Sequence, residues 1–249
     1  MVLITLPAYN EQDALPPLLA AFVELQAQGF TGIRVIVVDD GSADRTADIV
    51  REYHARHEWI TLVQHEGNRG LSQAIRTGFD AALAQAGPDD LIVTLDADNT
   101  QPPATIPAMI EKLSEGYDVV IASRFRPGAR VYGVPPLRRL YSRVLSILFQ
   151  IAYPVRGVRD YSCGFRAYRA ATLQRAYDVY GDEFITEQGF ACMVEILFQL
   201  DHLRGVRFAE VPFTLHYDFK PTETKMNVTR TIRETLALAL RHRLRPPRN

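Results

Sequence analysis

The sequence predicts an α/β protein with a doubly wound, mostly parallel sheet and a helical and β extension built from the second half of the chain. Three observations carry this. Strand-like and helix-like segments alternate from Val2 to Ala122, each polar cluster in that stretch follows a strand, and the charge balance changes abruptly after Ser123.

Val2 to Leu6 is the first strand and Asp13 to Gln28 the helix that returns from it. Ile33 to Val38, Ile60 to Gln64, Leu91 to Leu95 and Val119 to Ala122 repeat the strand pattern. They are short apolar runs, rich in β-branched residues, as strands buried on both faces require. Helices over Ala43 to Arg56, Leu71 to Ala86 and Ala104 to Glu115 connect them. In the second of these, Leu71, Ala74, Ile75, Phe79, Ala82 and Leu83 form one stripe, and Gly78 inside it marks close packing or close approach of a ligand. Later segments read as a helix over Pro136 to Tyr153, a helix over Gln188 to Leu203, a strand over Arg207 to Phe213 and a C-terminal helix over Met226 to Arg243. Glu195, in an apolar stretch, is either a satisfied buried carboxylate or an active-site group.

The 249 residues suffice for one domain with a sizeable core, and a composition 47% hydrophobic and 23% charged excludes a disordered chain. One domain over residues 1–249 is expected. No run reaches the roughly 18 apolar residues of a membrane span. Strand-like sequence from Val2 leaves no room for a basic leader and cleavage site, so a cytoplasmic location is expected. Cys163 and Cys192, far apart, suggest neither a disulfide framework nor a zinc site. Charge is segregated: residues 1–123 carry 18 acidic and 7 basic side chains, 124–169 carry 1 and 10, and 170–249 carry 10 and 11. Ten arginines against Asp160 alone point to a surface for an anion, whether phosphate, anionic lipid or nucleic acid.

The stretch from Asp90 to Pro103 is the most informative. Its strand ends in Asp96 and Asp98, which leave an extended chain on the same face with Cα atoms about 7 Å apart. Bare carboxylates at that separation repel by about 2 kcal/mol for an effective dielectric of roughly 20, so a cation between them is expected. Magnesium or manganese, which takes one or two carboxylates and completes its octahedron with water and substrate phosphate, fits best. A lone Asp-x-Asp is as readily a solvated acidic turn, so its neighbours decide.

In an open α/β sheet, ligands bind beyond the carboxyl ends of the strands. That rule collects Pro7-Ala8-Tyr9-Asn10-Glu11, Asp39-Asp40-Gly41-Ser42, Asp96-Ala97-Asp98 and Ser123-Arg124 on one rim. Singly, each has an ordinary explanation: Asp40-Gly41-Ser42 as a turn and helix cap, Tyr9 as a rim aromatic. Together they make a functional rim. Neither a Walker phosphate loop nor a Gly-x-Gly-x-x-Gly motif follows the first strand, so a nucleotide held here needs a metal on its diphosphate.

These motifs, with Asp44, Thr46, Asn68-Arg69-Gly70 and Pro102-Pro103, resemble those of the family 2 glycosyltransferases with the GT-A fold. Ser123-Arg124-Phe125, Asp160-Tyr161-Ser162-Cys163-Gly164-Phe165-Arg166 and Glu210-Val211-Pro212 resemble the dolichol-phosphate mannosyltransferase branch and its bacterial polyprenyl-phosphate relatives. The resemblance runs from about Leu3 to Met226. It implies a nucleotide-sugar-binding half, 1–123, and an acceptor-binding half, 124–249. By it, Pro7, Tyr9, Glu11 and Asp40 contact the nucleoside end of the donor, and Asp96 and Asp98, flanking Ala97, hold Mg2+ or Mn2+ on its diphosphate. Arg124, Arg138 and Ser142 match acceptor-phosphate contacts, and Lys225 matches a late lysine. Two departures stand out. Thr100 occupies a position where relatives often carry Gln, and Lys220 lies where they often carry Arg.

Within the basic segment, Leu137, Leu140, Tyr141, Val144, Leu145, Leu148 and Ile151 recur at helical spacing, broadened by Ile147 and Phe149. Arg138, Arg139, Ser142 and Arg143 occupy the other side, and Arg138 and Ser142, four apart, can face one anion together. A prenyl phosphate matches this pattern, with its charge on arginine and hydroxyl and its tail along leucine. A core helix with a solvated basic side is the alternative. Nucleic acid ranks behind both, because no nucleic-acid module is recognisable. Many membrane-bound relatives continue into transmembrane helices and this sequence does not. Attachment to the cytoplasmic face of a membrane is therefore expected to be peripheral or through a membrane-protein partner.

The expected activity is an inverting, metal-dependent transfer of a sugar, first of all mannose from GDP-mannose, to a polyprenyl or dolichyl phosphate. UDP-glucose as donor, or a hydroxyl as acceptor, is the alternative. An ionised phosphate needs no general base, whereas a hydroxyl does. Asp160 is then the first candidate base, or simply the partner of a neighbouring arginine. Asp98, Arg124 and Asp160 are the expected catalytic residues. A non-catalytic sugar-nucleotide-binding subunit is a third reading, against which the intact Asp96 and Asp98 speak.

Overall fold

The computed structural model describes residues 1–219 and 238–243. Strands β1 (Val2–Ala8), β2 (Ile33–Asp39), β3 (Ile60–Gln64), β4 (Leu91–Thr94) and β5 (Val119–Ser123) alternate with helices α1 (Leu15–Ala27), α2 (Thr46–His54), α3 (Leu71–Leu83) and α4 (Ile106–Ser114). The second half adds β6 (Arg130–Tyr132), α5 (Pro136–Ala152), β7 (Arg166–Arg169), α6 (Ala170–Tyr180), α7 (Ala191–His202), β8 (Phe208–Pro212) and β9 (Thr214–His216). Residues 238–243 are helical. The remainder of the C-terminal helix expected from Met226, together with Lys220 and Lys225, lies outside the described residues.

One seven-stranded sheet has the order β3-β2-β1-β4-β7-β5-β8, and a short ribbon pairs β6 with β9. Every neighbouring pair in the large sheet is parallel except those made by β7, which runs antiparallel to both β4 and β5. The architecture is thus mixed α/β with a mostly parallel sheet, as the alternation of strand and helix patterns predicts. Register decides what meets at the rim. Ala8 pairs with Asp39, so β1 and β2 end side by side, while Thr94 pairs with Thr5, so β4 ends three residues earlier on the same side of the sheet. Because β7 is reversed, its first residue, Arg166, pairs with Thr94 and Ile121, and the loop that precedes it arrives at that same rim.

Packing explains several sequence features. A Cβ on Gly78 would stand 3.1 Å from Thr5 Cβ, so the glycine serves close packing of α3 on β1. Every residue of α7 except Asp201 is buried. Its Glu195 accepts the N–H groups of Thr186 and Glu187 at 2.7 Å each and the Thr186 hydroxyl, which makes it a satisfied buried carboxylate that fixes loop 186–187. Arg166, fully buried, donates to the carbonyls of Cys163 (2.9 Å), Met193 (2.7 Å) and Tyr161 (2.8 Å) and so ties the rim loop to α7.

Helix α5 departs from the ordinary core pattern. Only Ser146 and Phe149 are buried, while Leu137, Leu140, Tyr141, Val144, Ile147, Leu148 and Ile151 are 38–67% exposed. The apolar stripe read from the sequence faces outward over most of its length. Arg243 Nη1 lies 3.4 and 3.3 Å from the carbonyls of Ile151 and Ala152, a cationic cap on the C-terminus of the helix. Among the described residues, no helix is long and apolar enough to cross a membrane.

Candidate active site

The loops after β1 and β2 are laced together. Asn10, at φ 56°, turns the chain; its N–H donates to Ser42 Oγ (2.9 Å) and its Oδ1 accepts from Ala43 N–H (3.0 Å). Glu11 N–H donates to Thr46 Oγ1 (2.9 Å), Gln12 N–H to Asp44 Oδ2 (3.1 Å), and Arg45 N–H to Gln12 Oε1 (3.2 Å). Burial alone would raise the Asp44 carboxyl, but hydrogen bonds from Thr46 and Gln12 outweigh it and hold the group below its ordinary value. On this braced platform Tyr9 is 47% exposed, and Pro7 and Glu11 are half-buried at its edge.

Asp40 sits behind the platform. Its Oδ1 accepts the Arg69 N–H at 2.9 Å and lies 2.7 Å from His65 Nδ1, while its Oδ2 accepts the Gly70 N–H at 2.8 Å. His65 Nε2 in turn lies 3.0 Å from Thr77 Oγ1 on α3. The Asp40 carboxylate is buried and holds the turn into α3, whose N-cap, Gly70, has no side chain of its own. Gly41 adopts φ +70°, and a Cβ there would stand 2.4 Å from the Gly67 carbonyl carbon, so loop 65–70 can close on this position only over a glycine.

Beyond β4, Asp96 is half-buried and Ala97 and Asp98 are buried. Asp98 Oδ1 accepts the Thr100 N–H (3.2 Å) and Oγ1 (2.7 Å). Gln101 grips Asp96 from both sides: its Nε2 donates to Asp96 Oδ2 (2.7 Å) and its Oε1 accepts the Asp96 N–H (3.1 Å). Among the described residues, no group of three or more His, Cys, Asp or Glu gathers. Among the described residues the candidate ligands are thus Asp96 and Asp98, an oxygen-donor pair that fits magnesium or manganese completed by a diphosphate.

The loop before β7 closes the rim from the other side. Thr94 Oγ1 donates to the Gly164 carbonyl (2.8 Å), and a Cβ on Gly164 would stand 3.4 Å from Asp96 Oδ1. Arg124, at the end of β5, donates its backbone N–H (3.0 Å) and Nε (2.8 Å) to Asp160 Oδ2, and its Nη2 to Asp160 Oδ1 (2.6 Å) and Ser162 Oγ (2.9 Å). Asp160 is fully buried and Arg124 keeps 22% of its side chain exposed, so the pair is a guanidinium held from behind with one edge toward the rim. Burial opposes the charge on Arg124, but the Asp160 carboxylate overrides it and raises the guanidinium above its ordinary value. Burial pushes the Cys163 thiol up to about 12, which keeps it neutral beside the pair.

Helix α5 lies along this side. Ser146 Oγ donates to the Arg159 carbonyl (2.5 Å), next to Asp160. Arg138 Nη1 donates to Tyr217 Oη (2.7 Å), and its guanidinium stacks 4.8 Å from the Tyr217 ring centre. The neighbouring His216 N–H donates to the Thr100 carbonyl (2.9 Å), so the first turn of α5 connects through β9 to the Asp98 loop. Ser142 is half-buried one turn beyond Arg138. The structure thus gathers the Asp96 loop, Arg124 and Asp160 closely, sets Pro7, Tyr9 and Glu11 on the platform braced between the β1 and β2 loops, and engages Arg138 with an aromatic ring. Gln101, Ser162 and His65, each bonded to a predicted site residue, were not singled out from the sequence; Gln101 carries the readiest signal, three residues after Asp98.

The sequence model of Glycosyl transferase family 2 matches residues 3–176. The chain is 32% identical over 214 residues to the dolichol-phosphate mannosyltransferase of Pyrococcus furiosus, a match covering 86% of this chain and 56% of that protein. It therefore spans a little over half the length of that relative. It is also 32% identical over 213 residues to the undecaprenyl-phosphate mannosyltransferase of Micrococcus luteus, with 86% of this chain and 82% of that protein covered. Among solved structures, the glucosyl-3-phosphoglycerate synthase of Mycobacterium tuberculosis, in complex with Mn2+, UDP and phosphoglyceric acid, matches with a TM-score of 0.66 over 99% of this chain and 79% of that one, at 19% identity, a likeness of fold. With a family match over most of its length, motifs that converge on one rim, and a sheet shared with that neighbour, the chain belongs to glycosyl transferase family 2 and has the GT-A fold.

Proposed function

We propose that this glycosyltransferase moves a sugar, with inversion, from a nucleotide-diphosphate sugar to a polyprenyl phosphate, with GDP-mannose as the first donor to test. The observation that carries the reading is the pairing of Arg124 with Asp160 beside an outward-facing apolar helix. A phosphate with a long hydrocarbon tail matches a fixed guanidinium next to exposed leucine and isoleucine side chains. The names of the two relatives point the same way.

In this mechanism Arg124 and Ser162 orient the acceptor phosphate and screen its repulsion from the donor diphosphate. The acceptor phosphate is already ionised near neutral pH, so its oxygen attacks the anomeric carbon without a general base. Asp160, with both oxygens bonded to Arg124, serves as the holder of that guanidinium. Asp96 and Asp98 are the residues that would hold a divalent ion, which when bound supplies charge neutralisation on the leaving diphosphate. Pro7, Tyr9 and Glu11 border the nucleoside, and Asp40 keeps the adjoining loop in place. Arg138, Ser142 and Lys225 are proposed acceptor contacts, Arg138 exchanging Tyr217 for phosphate. The exposed face of α5 rests on the cytoplasmic surface of a membrane, where such an acceptor resides, as a peripheral contact.

The test supplies purified protein with magnesium or manganese, undecaprenyl phosphate and, separately, labelled GDP-mannose and UDP-glucose, and follows label into organic solvent. Label in lipid from one donor, lost in Arg124→Ala, is the expected result. Transfer to a water-soluble hydroxyl acceptor with none to lipid would overturn the reading.

A further inference from the structure

A second buried acid stands behind the Arg124 and Asp160 pair, and the mechanism above does not use it. Glu210, on β8, accepts the backbone N–H groups of both Arg159 and Asp160 on one oxygen, Oε1, at 2.6 Å each. Its other oxygen lies 2.8 Å from Arg126 Nε, an ion pair outside hydrogen-bond alignment, and Arg126 also donates through Nη2 to the Gly157 carbonyl at 2.8 Å. The Glu210 side chain has no exposed surface. On the opposite side of the same peptide, Ser146 of α5 holds the Arg159 carbonyl. The segment carrying Asp160 is thus clamped between β8 and α5, and this backbone clamp adds to the hold that the Arg124 N–H has on the Asp160 carboxylate.

We infer that Glu210 is a positioning residue for sugar transfer: with Arg126 it fixes the peptide from which Asp160 aims the Arg124 guanidinium at the reacting phosphates. The inference rests on the proposed role of Arg124. Two features separate it from ordinary core packing. The two N–H groups converge on one carboxylate oxygen, the geometry of a pivot, and a second cation, Arg126, is set against the other oxygen to keep the group charged. Burial raises the Glu210 carboxyl above its ordinary value, against the pull of the two N–H groups and Arg126, so the charge depends on those partners. The donor platform of residues 9–12 and 42–46 makes none of these contacts. Loss of Glu210 therefore acts on the chemical step and leaves donor binding in place.

The experiment compares Arg124→Ala, Glu210→Ala, Glu210→Gln and Arg126→Met with the wild type. It uses GDP-mannose and undecaprenyl phosphate with magnesium, and measures kcat per folded molecule, the KM for donor, and the Kd for GDP by titration. Glu210→Ala is expected to lower kcat by about a hundredfold, the cost of displacing a catalytic group by about an ångström, with the donor KM and GDP Kd within about twofold. Glu210→Gln keeps an acceptor at Oε1 and is expected to stay within about tenfold of the wild type. Arg126→Met, which leaves the acceptor in place and unpairs it, falls between them and keeps the test open if Glu210→Ala does not fold. Equal losses in Glu210→Ala and Glu210→Gln with GDP binding weakened in step would overturn the inference, as would an undiminished kcat in Glu210→Ala. If Arg124→Ala itself transfers at the wild-type rate, the proposed role of Arg124 fails, and the inference falls with it for that separate reason.

Discussion

Asp40→Asn preserves the size of a buried side chain and removes its charge, which isolates what the carboxylate does for the rim. In the wild type one oxygen takes the Arg69 N–H and faces His65 Nδ1, and the other takes the Gly70 N–H. An amide nitrogen in place of either oxygen turns an acceptor into a donor that confronts a backbone N–H. Losing one such bond to a charged acceptor costs about 2 kcal/mol. Removing a carboxylate from the entry to α3, whose glycine N-cap offers no substitute, adds about 1 kcal/mol. The sum, about 3 kcal/mol, corresponds to a fall in Tm of roughly 6–12 °C for a chain of this length. Urea unfolding followed by circular dichroism, with thermal scans alongside, measures it. A loss below about 1 kcal/mol combined with a collapse of nucleotide affinity would refute the reasoning, because Asp40 would then act on the nucleoside and not on the loop.

Other perturbations have defined outcomes. Asp98→Asn keeps an oxygen for the Thr100 N–H and hydroxyl, so the fold should persist by circular dichroism while transfer falls by about a thousandfold, and EDTA should reproduce that loss in the wild type. Asp44, whose carboxyl is held low, contributes stability that is fully present above pH 3.8 and disappears as the pH falls through its lowered native value. Asp44→Asn should therefore be about 1 kcal/mol less stable than the wild type at pH 6 and converge with it in acid; a gap unchanged at low pH would assign the effect to shape. Glutamate at both Leu140 and Ile147, 55% and 51% exposed, should leave Tm unchanged yet reduce flotation with phosphatidylglycerol vesicles by more than about tenfold, since each apolar side chain contributes roughly 1.5 kcal/mol or more when buried in lipid.

The parts of this molecule that are legible in sequence are those whose signal is local. Strand and helix periods from Val2 to Ala122 are continuous in the chain, and the rim follows from a rule about where parallel strands end. Strand β7 carries no such signal: Arg-Ala-Tyr-Arg looks polar, and its buried Arg166 is satisfied by three carbonyls supplied from elsewhere. Ribbon strands β6 and β9, three residues each, exist only through their pairing. Periodicity identified α5 and its stripe but not which side the protein covers, because an amphipathic pattern is the same whether its apolar face meets a core or a lipid. The link from Asp40 to His65 and Arg69 spans residues that no short motif joins, and Glu210, though part of a motif quoted for the resemblance, has no role that the sequence assigns until the backbone it holds is seen.

The reversed strand has a consequence for how the site comes into being. β4 and β5 follow one another in the chain but are not neighbours in the sheet, and residues 166–169 fill the gap between them. Until that segment is threaded in, both strands present open edges with unpaired backbone groups. A chain that has not yet inserted this segment therefore carries Asp96 and Asp98 beside an unfinished border of the sheet. The non-local closure is a slow class of step. Insertion of residues 166–169 thus joins the β4 side of the rim, with Asp96 and Asp98, to the β5 side, with Arg124, in one step.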